Sequence, residues 1–530
     1  MKRMLLAIVV TPAAALAGPT FVVKFDPAAR DQPASGRLVV YLVKHGADIP
    51  PGTPPSSGPF WHDPQPMFGV SVLDVMPGQP MVVDNDATYF PSPLEALPPG
   101  TYDAQAVLDI HSNNSAWRME PGNLASNTVT FTITGADPDP RVDIALVDVV
   151  LAPEAPPLMT GVDIVEVRSA LLSEFHGRDI MLRAGVVAPI DAVPSRRYPA
   201  VYEVPGFGGD HLGAYGHAVG MQRIDPASPE GRLARSAYWI VLDPESGNGH
   251  TLFADSANNG PVGQALTTEL IPAIEKRYRL IAEPSARLLR GHSSGGWSTI
   301  WLATTYPETF GGCWSSAPDP VDFRRFQLVD IYAKLEGPTG APNRIGSMYQ
   351  DQSNPPRWLN SYRADGQDLM TIRQENLMEE VLGPHNTSGQ QWDSWQAVFG
   401  PRDLAGRPAA LYEPLTGRID MSIARQYLAF DISARLASDP ERYLPMFRDR
   451  VRIVVGDEDN FHLEQAVMLL SQRIDDLLAI GVDEMPRDQW TGYVKVVRGY
   501  DHGSVHDSME VRAFPGEMLR SLDSAGHIGP

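Results

Sequence analysis

The chain has 530 residues and carries 43 Lys and Arg against 64 Asp and Glu, which gives a formal net charge of −21 at pH 7. This acidic excess argues against nucleic acid or an anionic membrane surface as a partner, because both would repel the protein. With 43% hydrophobic and 20% charged residues, the composition is that of a globular protein long enough for several domains. The single cysteine, Cys313, excludes a disulfide within these residues and a cysteine-rich metal site. We expect a buried, inert thiol, and the sequence indicates no metal and no other cofactor.

The first seventeen residues are typical of an export signal. Lys2 and Arg3 provide a positive start, Met4–Val10 an apolar stretch, and Ala15–Ala17 a cleavage site of small residues. The apolar stretch is too short to span a bilayer, and the rest of the chain has no apolar run of that length. We therefore expect a secreted or periplasmic protein whose mature chain begins at Gly18, without membrane insertion.

From residue 18 to residue 152 the pattern is one of short strands. Six β-branched or alternating runs are separated by clusters of Pro, Gly, Asp and Asn: Phe21–Phe25, Arg37–Val43, Phe68–Val75, Tyr102–Ile110, Thr128–Thr134 and Ile144–Leu151. Strands in this arrangement indicate an immunoglobulin-like β-sandwich. The Pro-rich stretch Ala152–Pro157 is the expected domain boundary.

Residues 153–530 alternate strands with helices, which indicates an α/β domain built on a parallel sheet. Val201–Val204 and Tyr238–Leu242 are apolar runs of the buried-strand kind. Leu266, Leu270 and Ile274 recur at helical spacing. Later strands are expected at Arg287–Arg290, Ile453–Val455 and Tyr493–Val497, and a later helix at His462–Leu478.

Residues 321–450 break this alternation, because they are loop-rich and aromatic. We interpret them as an insertion between two core strands that forms a cap or lid over the catalytic face. Trp358, Trp392 and Trp395 would then line a substrate cleft. The alternative is that these aromatic residues form the insertion's own small core.

The strongest chemical signal is Gly291–Gly296, with the sequence GHSSGG, between an expected strand and a helix-like segment. A G-x-S-x-G motif in this setting is the nucleophile elbow of an α/β-hydrolase. Ser293 is the expected nucleophile, and the amide of Ser294, at the positive end of the helix, is an expected oxyanion donor. Ser294 is the poorer nucleophile because it lacks a glycine two residues earlier. The alternative is a βα turn without chemistry.

A serine hydroxyl needs a neighbouring base, and the base needs a carboxylate that orients it. The fold places them in the chain order Ser, Asp, His, after later strands of the sheet. The candidate acids are Asp459, preferred for its G-x-x-D spacing, then Asp457 and Glu458, and finally Asp319 or Asp322. The candidate bases are His502, after the last expected strand, and His506.

The second oxyanion donor should come from the glycine-rich turn Pro205–Gly209, which follows the strand Val201–Val204. A turn without side chains lets the backbone approach the reacting carbonyl. The amide of Phe207, directly after the first glycine, is the expected donor. The alternative is a plain tight turn.

Several further motifs stand in a familiar order. They are Tyr198–Tyr202 (YPAVY) before PGFGG, Glu269–Tyr278 (ELIPAIEKRY), GHSSGG, Tyr306–Gly311 (YPETFG), Gly456–Asp459 and His502. From residue 161 to residue 530, without the insertion, the chain resembles the putative esterase family of α/β-hydrolases, which includes esterase D, feruloyl esterases, enterochelin esterases and the mycolyltransferases. The resemblance implies an α/β-hydrolase fold with Ser293 as nucleophile, Asp459 as orienting acid and His502 as base. It also implies an oxyanion hole made by the amides of Phe207 and Ser294.

Two positions depart from that pattern. Pro205 stands where many relatives have His, and Glu203 places a carboxylate in an otherwise apolar central strand. The expected function is nevertheless that of an exported serine ester hydrolase, acting through an acyl-enzyme on a small-molecule or polysaccharide-linked ester. The alternatives are a serine peptidase of the prolyl-oligopeptidase type and a non-catalytic binding protein with the same fold. The peptidases usually carry a seven-bladed propeller, for which the N-terminal region is too short. The sequence does not indicate an oligomeric state.

Overall fold

The computed structural model describes residues 18–528 except 59, 112–114, 116–119, 135–139, 153–155, 336–343, 352 and 354. The expected export signal, residues 1–17, lies outside the described residues and stays a prediction. The chain divides into two compact units, one of Met1–His111 with Arg118–Ala152 and one of Ser112–Trp117 with Pro153–Pro530. Among the described residues, no helix combines the length and apolar character needed to cross a bilayer.

The first unit contains one hydrogen-bonded sheet of nine strands. The strands are β1 (Thr20–Phe25), β2 (Ala34–Lys44), β3 (Met67–Val75), β4 (Met81–Val83), β5 (Thr88–Phe90), β6 (Gly100–Asp109), β7 (Leu124–Ser126), β8 (Val129–Ile133) and β9 (Arg141–Val149). Their order is β4-β1-β9-β7-β6-β2-β3-β5, and β8 pairs with β6. The β1–β9 pair is parallel and the other pairs are antiparallel. Each of the six expected strands overlaps an observed one, whereas β4, β5 and β7, of three residues each, were not expected.

Alternation of apolar and polar residues builds the core of this unit. In β9, Val142, Ile144 and Leu146 are buried, and the residues between them are exposed. Successive side chains of a strand point to opposite faces, so this pattern places one face of β9 inward. Those residues pack in one cluster with Phe21 and Phe131.

The second unit contains an eight-stranded sheet of order β10-β11-β13-β12-β16-β17-β22-β23. The strands of this unit, including three short hairpins, are β10 (Val162–Ser169), β11 (Ile180–Val187), β12 (Ala200–Val204), β13 (Tyr238–Leu242), β14 (Glu245–Ser246), β15 (Gly249–His250), β16 (Arg287–His292), β17 (Gly312–Ser316), β18 (Lys334–Leu335), β19 (Arg344–Ile345), β20 (Asn360–Ala364), β21 (Gln367–Thr371), β22 (Val451–Gly456) and β23 (Tyr493–Val497). The pairs β10–β11 and β11–β13 are antiparallel, and every pair from β13 to β23 is parallel. The expected α/β class is confirmed.

Helices accompany this sheet. They are α1 (Ala170–His176), α2 (Gly213–Met221), α3 (Pro229–Ser236), α4 (Val262–Ala265), α5 (Ile271–Tyr278), α6 (Ser294–Thr305), α7 (Ile372–Leu382), α8 (Gln391–Phe399), α9 (Met421–Tyr427), α10 (Ile432–Ser438), α11 (Pro440–Asp449), α12 (Glu464–Ala479), α13 (Met509–Arg512) and α14 (Phe514–Ser524). A π-helical segment, Leu266–Leu270, joins α4 to α5. Because parallel strands are covered on both faces, apolar residues predominate in them. All residues of β22 are buried, and so is Cys313 in β17, where burial raises the pKa of the thiol to about 12.

The residues from 321 to 450 lie between β17 and β22 and contain the β20–β21 hairpin and helices α7 to α11. Most of their aromatic side chains, including those of Trp392 and Trp395, belong to the same core cluster as the sheet. Phe399 of α8, for example, packs against Trp297 of α6 with ring centroids 5.3 Å apart. The described part of the insertion is therefore continuous with the core of the second unit.

Candidate active site

Ser293 occupies the turn between β16 and α6. Its backbone angles, φ 57° and ψ −126°, are ones that residues other than glycine rarely adopt, and such strain costs about 1–3 kcal/mol. The flanking glycines are required by close backbone contacts. A Cβ at Gly291 would lie 2.2 Å from the Gly295 carbonyl oxygen, and one at Gly295 would lie 1.9 Å from that of Val204. A strained serine between a strand and a helix is the geometry of a nucleophile elbow.

The loops after β22 and β23 bring together two of the candidate catalytic residues. His502 Nδ1 lies 2.7 Å from Asp459 Oδ2. Asp459 is fully buried, and its other oxygen accepts a hydrogen bond of 2.9 Å from the amide of Phe461. Because a carboxylate oxygen accepts, Nδ1 of His502 carries the proton and Nε2 is left as the basic nitrogen.

The other candidate acids have different partners. Asp457 accepts from the amide of Gly499 at 2.7 Å. Asp322 pairs with Arg324 at 2.6 Å. Asp319 accepts from the hydroxyl of Ser294 at 2.7 Å. Of these candidates, Asp459 is the one hydrogen-bonded to His502.

His502 lies next to the elbow. Its ring centroid is 4.5 Å from that of His292, the residue before Ser293. Burial alone lowers the pKa of His502, but the Asp459 carboxylate, and to a smaller extent Asp319, raise the pKa above its ordinary value. Ser293 Oγ and His502, both described, are not hydrogen-bonded here. Catalytic hydrogen bonds often tighten only when substrate is bound.

His506, the alternative base, has another position. Its ring packs against that of His292, with the ring centroids 4.4 Å apart, and burial lowers the pKa of His506. His292 in turn lies 3.0 Å from Ser316 Oγ through Nδ1. Both histidines therefore contact His292, but His502 is the one hydrogen-bonded to Asp459.

The expected oxyanion turn follows β12. A Cβ at Gly206 would lie 3.4 Å from Ser293 Cβ, which places the turn directly against the candidate nucleophile. Gly209 closes the turn around Phe207 by donating to the Gly206 carbonyl at 3.0 Å. Ser294 is the first residue of α6, so its amide lies at the positive end of the helix dipole.

A residue that the sequence did not single out supports this turn. His250 is fully buried, and burial lowers its pKa to about 4, so the ring is neutral. Its Nδ1 accepts from the amide of Leu252 at 3.0 Å, and its Nε2 therefore donates to the Pro205 carbonyl, also at 3.0 Å. No spacing rule signals such a residue, because its partner is reached only in the folded chain.

Glu203, the unexpected carboxylate of β12, has partners on neighbouring elements. It accepts a hydrogen bond from the indole of Trp239 in β13. His217 Nδ1 lies 3.9 Å away. In the register of the sheet Glu203 stands opposite Arg290 of β16. Glu203 therefore lies among polar side chains and has a hydrogen-bond donor in Trp239.

The three candidate tryptophans of the insertion lie in different environments. Trp358 is 51% exposed and lies under the guanidinium of Arg373. Trp392 and Trp395 are 1% and 2% exposed, and the indole of Trp395 donates to Asp319 at 2.7 Å. This burial agrees with the second interpretation, an aromatic core, for Trp392 and Trp395.

Residues 188–404 match the model of a protein family described as Putative esterase. The matched range contains the turn after β12 and the elbow, and it confirms the resemblance found in the sequence. The enzyme class that follows is that of a carboxylic-ester hydrolase. No curated protein matches the chain.

Solved structures with a related arrangement include a ferulic acid esterase, with 13% identity, 68% of this chain and 97% of that chain covered, and a TM-score of 0.38. An S-formylglutathione hydrolase from Agrobacterium tumefaciens is 15% identical, with 71% of this chain and 99% of that chain covered and a TM-score of 0.37. A ferulic acid esterase from Anaeromyces mucronatus, solved with ferulic acid, is 11% identical, with 70% of this chain and 95% of that chain covered and a TM-score of 0.32.

Proposed function

We propose that this protein hydrolyses carboxylic esters with Ser293 as nucleophile, His502 as base and Asp459 as orienting acid. The observation that carries the proposal is the 2.7 Å hydrogen bond between Asp459 and His502, formed beside a strained serine turn. The two residues come from loops 43 positions apart. Convergence of these residue types on one elbow is what serine hydrolysis requires.

In the first half of the reaction His502 Nε2 takes the proton of Ser293 Oγ as this oxygen attacks the ester carbonyl. Asp459 stabilises the imidazolium that forms and keeps the ring oriented. The tetrahedral oxyanion accepts hydrogen bonds from the amides of Phe207 and Ser294, each worth about 3 kcal/mol of barrier. His502 then gives its proton to the departing alcohol, which leaves an acyl-enzyme on Ser293.

In the second half His502 takes a proton from water, and the resulting hydroxide attacks the acyl carbonyl. The same two amides hold the second oxyanion. Its collapse releases the carboxylic acid and returns the proton to Ser293. We propose an exported enzyme, from the sequence of residues 1–17, and a small-molecule or polysaccharide-linked ester as substrate.

The finer architecture is also part of the proposal. For residues 18–152 an immunoglobulin-like β-sandwich is supported by Tyr102 at the start of β6, whose hydroxyl donates to the Pro98 carbonyl at 2.7 Å. Such a tyrosine corner is typical of these sandwiches. For residues 153–530 an α/β-hydrolase fold is supported by the elbow between β16 and α6.

The test uses the purified protein with short p-nitrophenyl esters, with a peptide substrate and with an organophosphonate probe. We expect ester turnover and labelling of one serine, both lost in S293A. H502A should lose turnover as well, whereas H506A, matched in residue type and near in sequence, should keep most of it. Peptide cleavage without ester turnover would favour the peptidase alternative. No turnover of the ester or the peptide and no labelling by the probe would favour a non-catalytic binding protein.

A further inference from the structure

A second buried carboxylate lies at the elbow, in addition to Asp459. Asp319 follows β17 and is 2% exposed. Its Oδ2 accepts two hydrogen bonds of 2.7 Å, one from Ser294 Oγ and one from the indole Nε1 of Trp395. Its backbone amide donates to the Ser293 carbonyl at 3.2 Å. Asp319 therefore contacts both residues at the start of α6.

The elbow needs such contacts because the conformation of Ser293 is strained. A strained residue persists only where its surroundings fix it in more than one way. The loop that carries Asp319 supplies another contact of this kind, since the amide of Ser293 donates to the Ser316 carbonyl at 3.0 Å. The segment Ser316–Asp319 thus holds the elbow on both sides of Ser293.

Trp395 connects this arrangement to the insertion. It lies in α8, and its ring packs edge-on against Phe326 at 5.0 Å and against Trp392 at 5.1 Å. Packing on two sides fixes the direction in which its N–H points. The indole supplies one of the two hydrogen bonds that compensate the burial of the Asp319 carboxylate.

The insertion also reaches the loop that carries Asp459. Arg363 of β20 donates through Nε to the Asp459 carbonyl at 2.9 Å. Asn460 donates through Nδ2 to the Arg363 carbonyl at 2.7 Å, and its Oδ1 accepts from the amide of His502 at 3.1 Å. The insertion therefore contacts Asp459 directly through Arg363. It reaches the elbow through Asp319 and His502 through Asn460.

From these contacts we infer that Asp319 and Trp395 are positioning residues, which hold Ser293 and the Ser294 amide in their reactive geometry. The insertion is then part of the scaffold of the active site and not a removable lid. The inference rests on the proposed function, because it concerns the same nucleophile.

The experiment compares two pairs of variants of the full chain. W395F removes the indole donor to Asp319. W392F makes the same change about one turn earlier on the same buried helix, where the indole lies beside Glu375, and its phenyl ring keeps an aromatic side chain against Trp395. D319A removes the acceptor, whereas D319N keeps an oxygen that can accept both hydrogen bonds. The readouts are kcat and KM for a p-nitrophenyl ester and the rate at which the organophosphonate labels Ser293.

We expect W395F to lower kcat and the labelling rate by about tenfold, the effect of one lost hydrogen bond, with KM nearly unchanged. D319A should lose more, and D319N should recover most of the loss. W392F should have little effect on kcat. If D319A does not fold, the comparison of W395F with W392F and the activity of D319N decide the outcome.

Equal losses in W395F and W392F would overturn the inference, and so would a D319N variant as slow as a folded D319A or a loss confined to KM. S293A is measured in parallel. If S293A retained turnover and labelling, the proposed function itself would be wrong, whereas a silent S293A with a fully active W395F would contradict only the positioning role.

Discussion

Two neighbouring strands of the eight-stranded sheet, β17 and β22, each lead into a loop that buries a carboxylate at the candidate active site. Asp459, after β22, accepts from an imidazole and a backbone amide. Asp319, after β17, accepts from a hydroxyl and an indole. An imidazole is a base near neutral pH and can take up a proton during the reaction, whereas the hydroxyl of Ser294 and the indole of Trp395 are not. The partners of a carboxylate, more than its place at the sheet edge, thus separate an orienting acid from a positioning one.

The electrostatic settings of the two loops also differ. Burial raises the pKa of Asp319 to about 6, and its hydrogen bonds from Ser294 and Trp395 only partly oppose this effect. No Lys or Arg of the described chain forms an ion pair with Asp319, whereas Arg363 donates to the backbone of the Asp459 loop. The following substitutions separate the two settings.

The largest effect is expected from D459N. An amide cannot stabilise the imidazolium of His502 and can hold the ring in the wrong tautomer, so we expect kcat to fall by about 10³–10⁴. The measurement is steady-state turnover of a p-nitrophenyl ester. D457N is the matched control, because Asp457 binds the amide of Gly499 and not the imidazole. A D459N variant that is no slower than D319N would remove the distinction between the two loops.

A smaller loss of activity is expected when the contact between the insertion and the Asp459 loop is removed. R363A removes the hydrogen bond to the Asp459 carbonyl and the ion pair with Glu464 at 3.1 Å. We expect kcat to fall by about tenfold with KM little changed, since the acid and not the substrate is displaced. Arg357, an exposed insertion residue paired with Asp351, provides the control variant R357A. Equal activity of R363A and R357A would contradict the role given to this contact.

The smallest effect concerns pH. His502 must be neutral to act as a base, so kcat/KM rises with pH through its pKa, which lies above the ordinary value of 6.5. Asp319 contributes negative charge that raises this pKa. D319N should therefore move the acid limb of the pH–rate profile to lower pH. If the acid limb of the D319N profile stays at the pH of the unaltered protein, Asp319 acts by positioning the elbow and not through its charge.

Much of the fold and of the candidate site follows from local patterns. The strands of the sheet and GHSSGG carry their signals in adjacent residues, because backbone strain and close packing demand glycine at fixed positions. The loops that carry Asp459 and His502 follow from the rule that such residues stand after strand ends. The assignment of their roles remains part of the proposal.

The remaining features depend on contacts between distant residues. Trp395 and Asp319 are 76 positions apart, and nothing in either neighbourhood of the sequence marks the hydrogen bond between them. The aromatic residues of the insertion suggest a cleft or a core equally well, because composition does not determine burial. The position of Glu203 in an apolar strand is explained by its neighbours in the fold, since Trp239 of β13 donates to it and Arg290 of β16 is its partner in the register of the sheet.

Cys313 gives this enzyme a built-in reporter. In β17 it pairs in register with Leu289 on one side and Val451 on the other, in the middle of the catalytic sheet. Its side chain points to one face of the sheet, so a thiol-modifying reagent can reach the sulfur only when the core that covers the sheet opens. No second cysteine in the sequence adds a background signal. The modification rate of the unaltered protein would therefore follow the opening of the core on the sheet that supports the elbow, without a fluorophore or an engineered label.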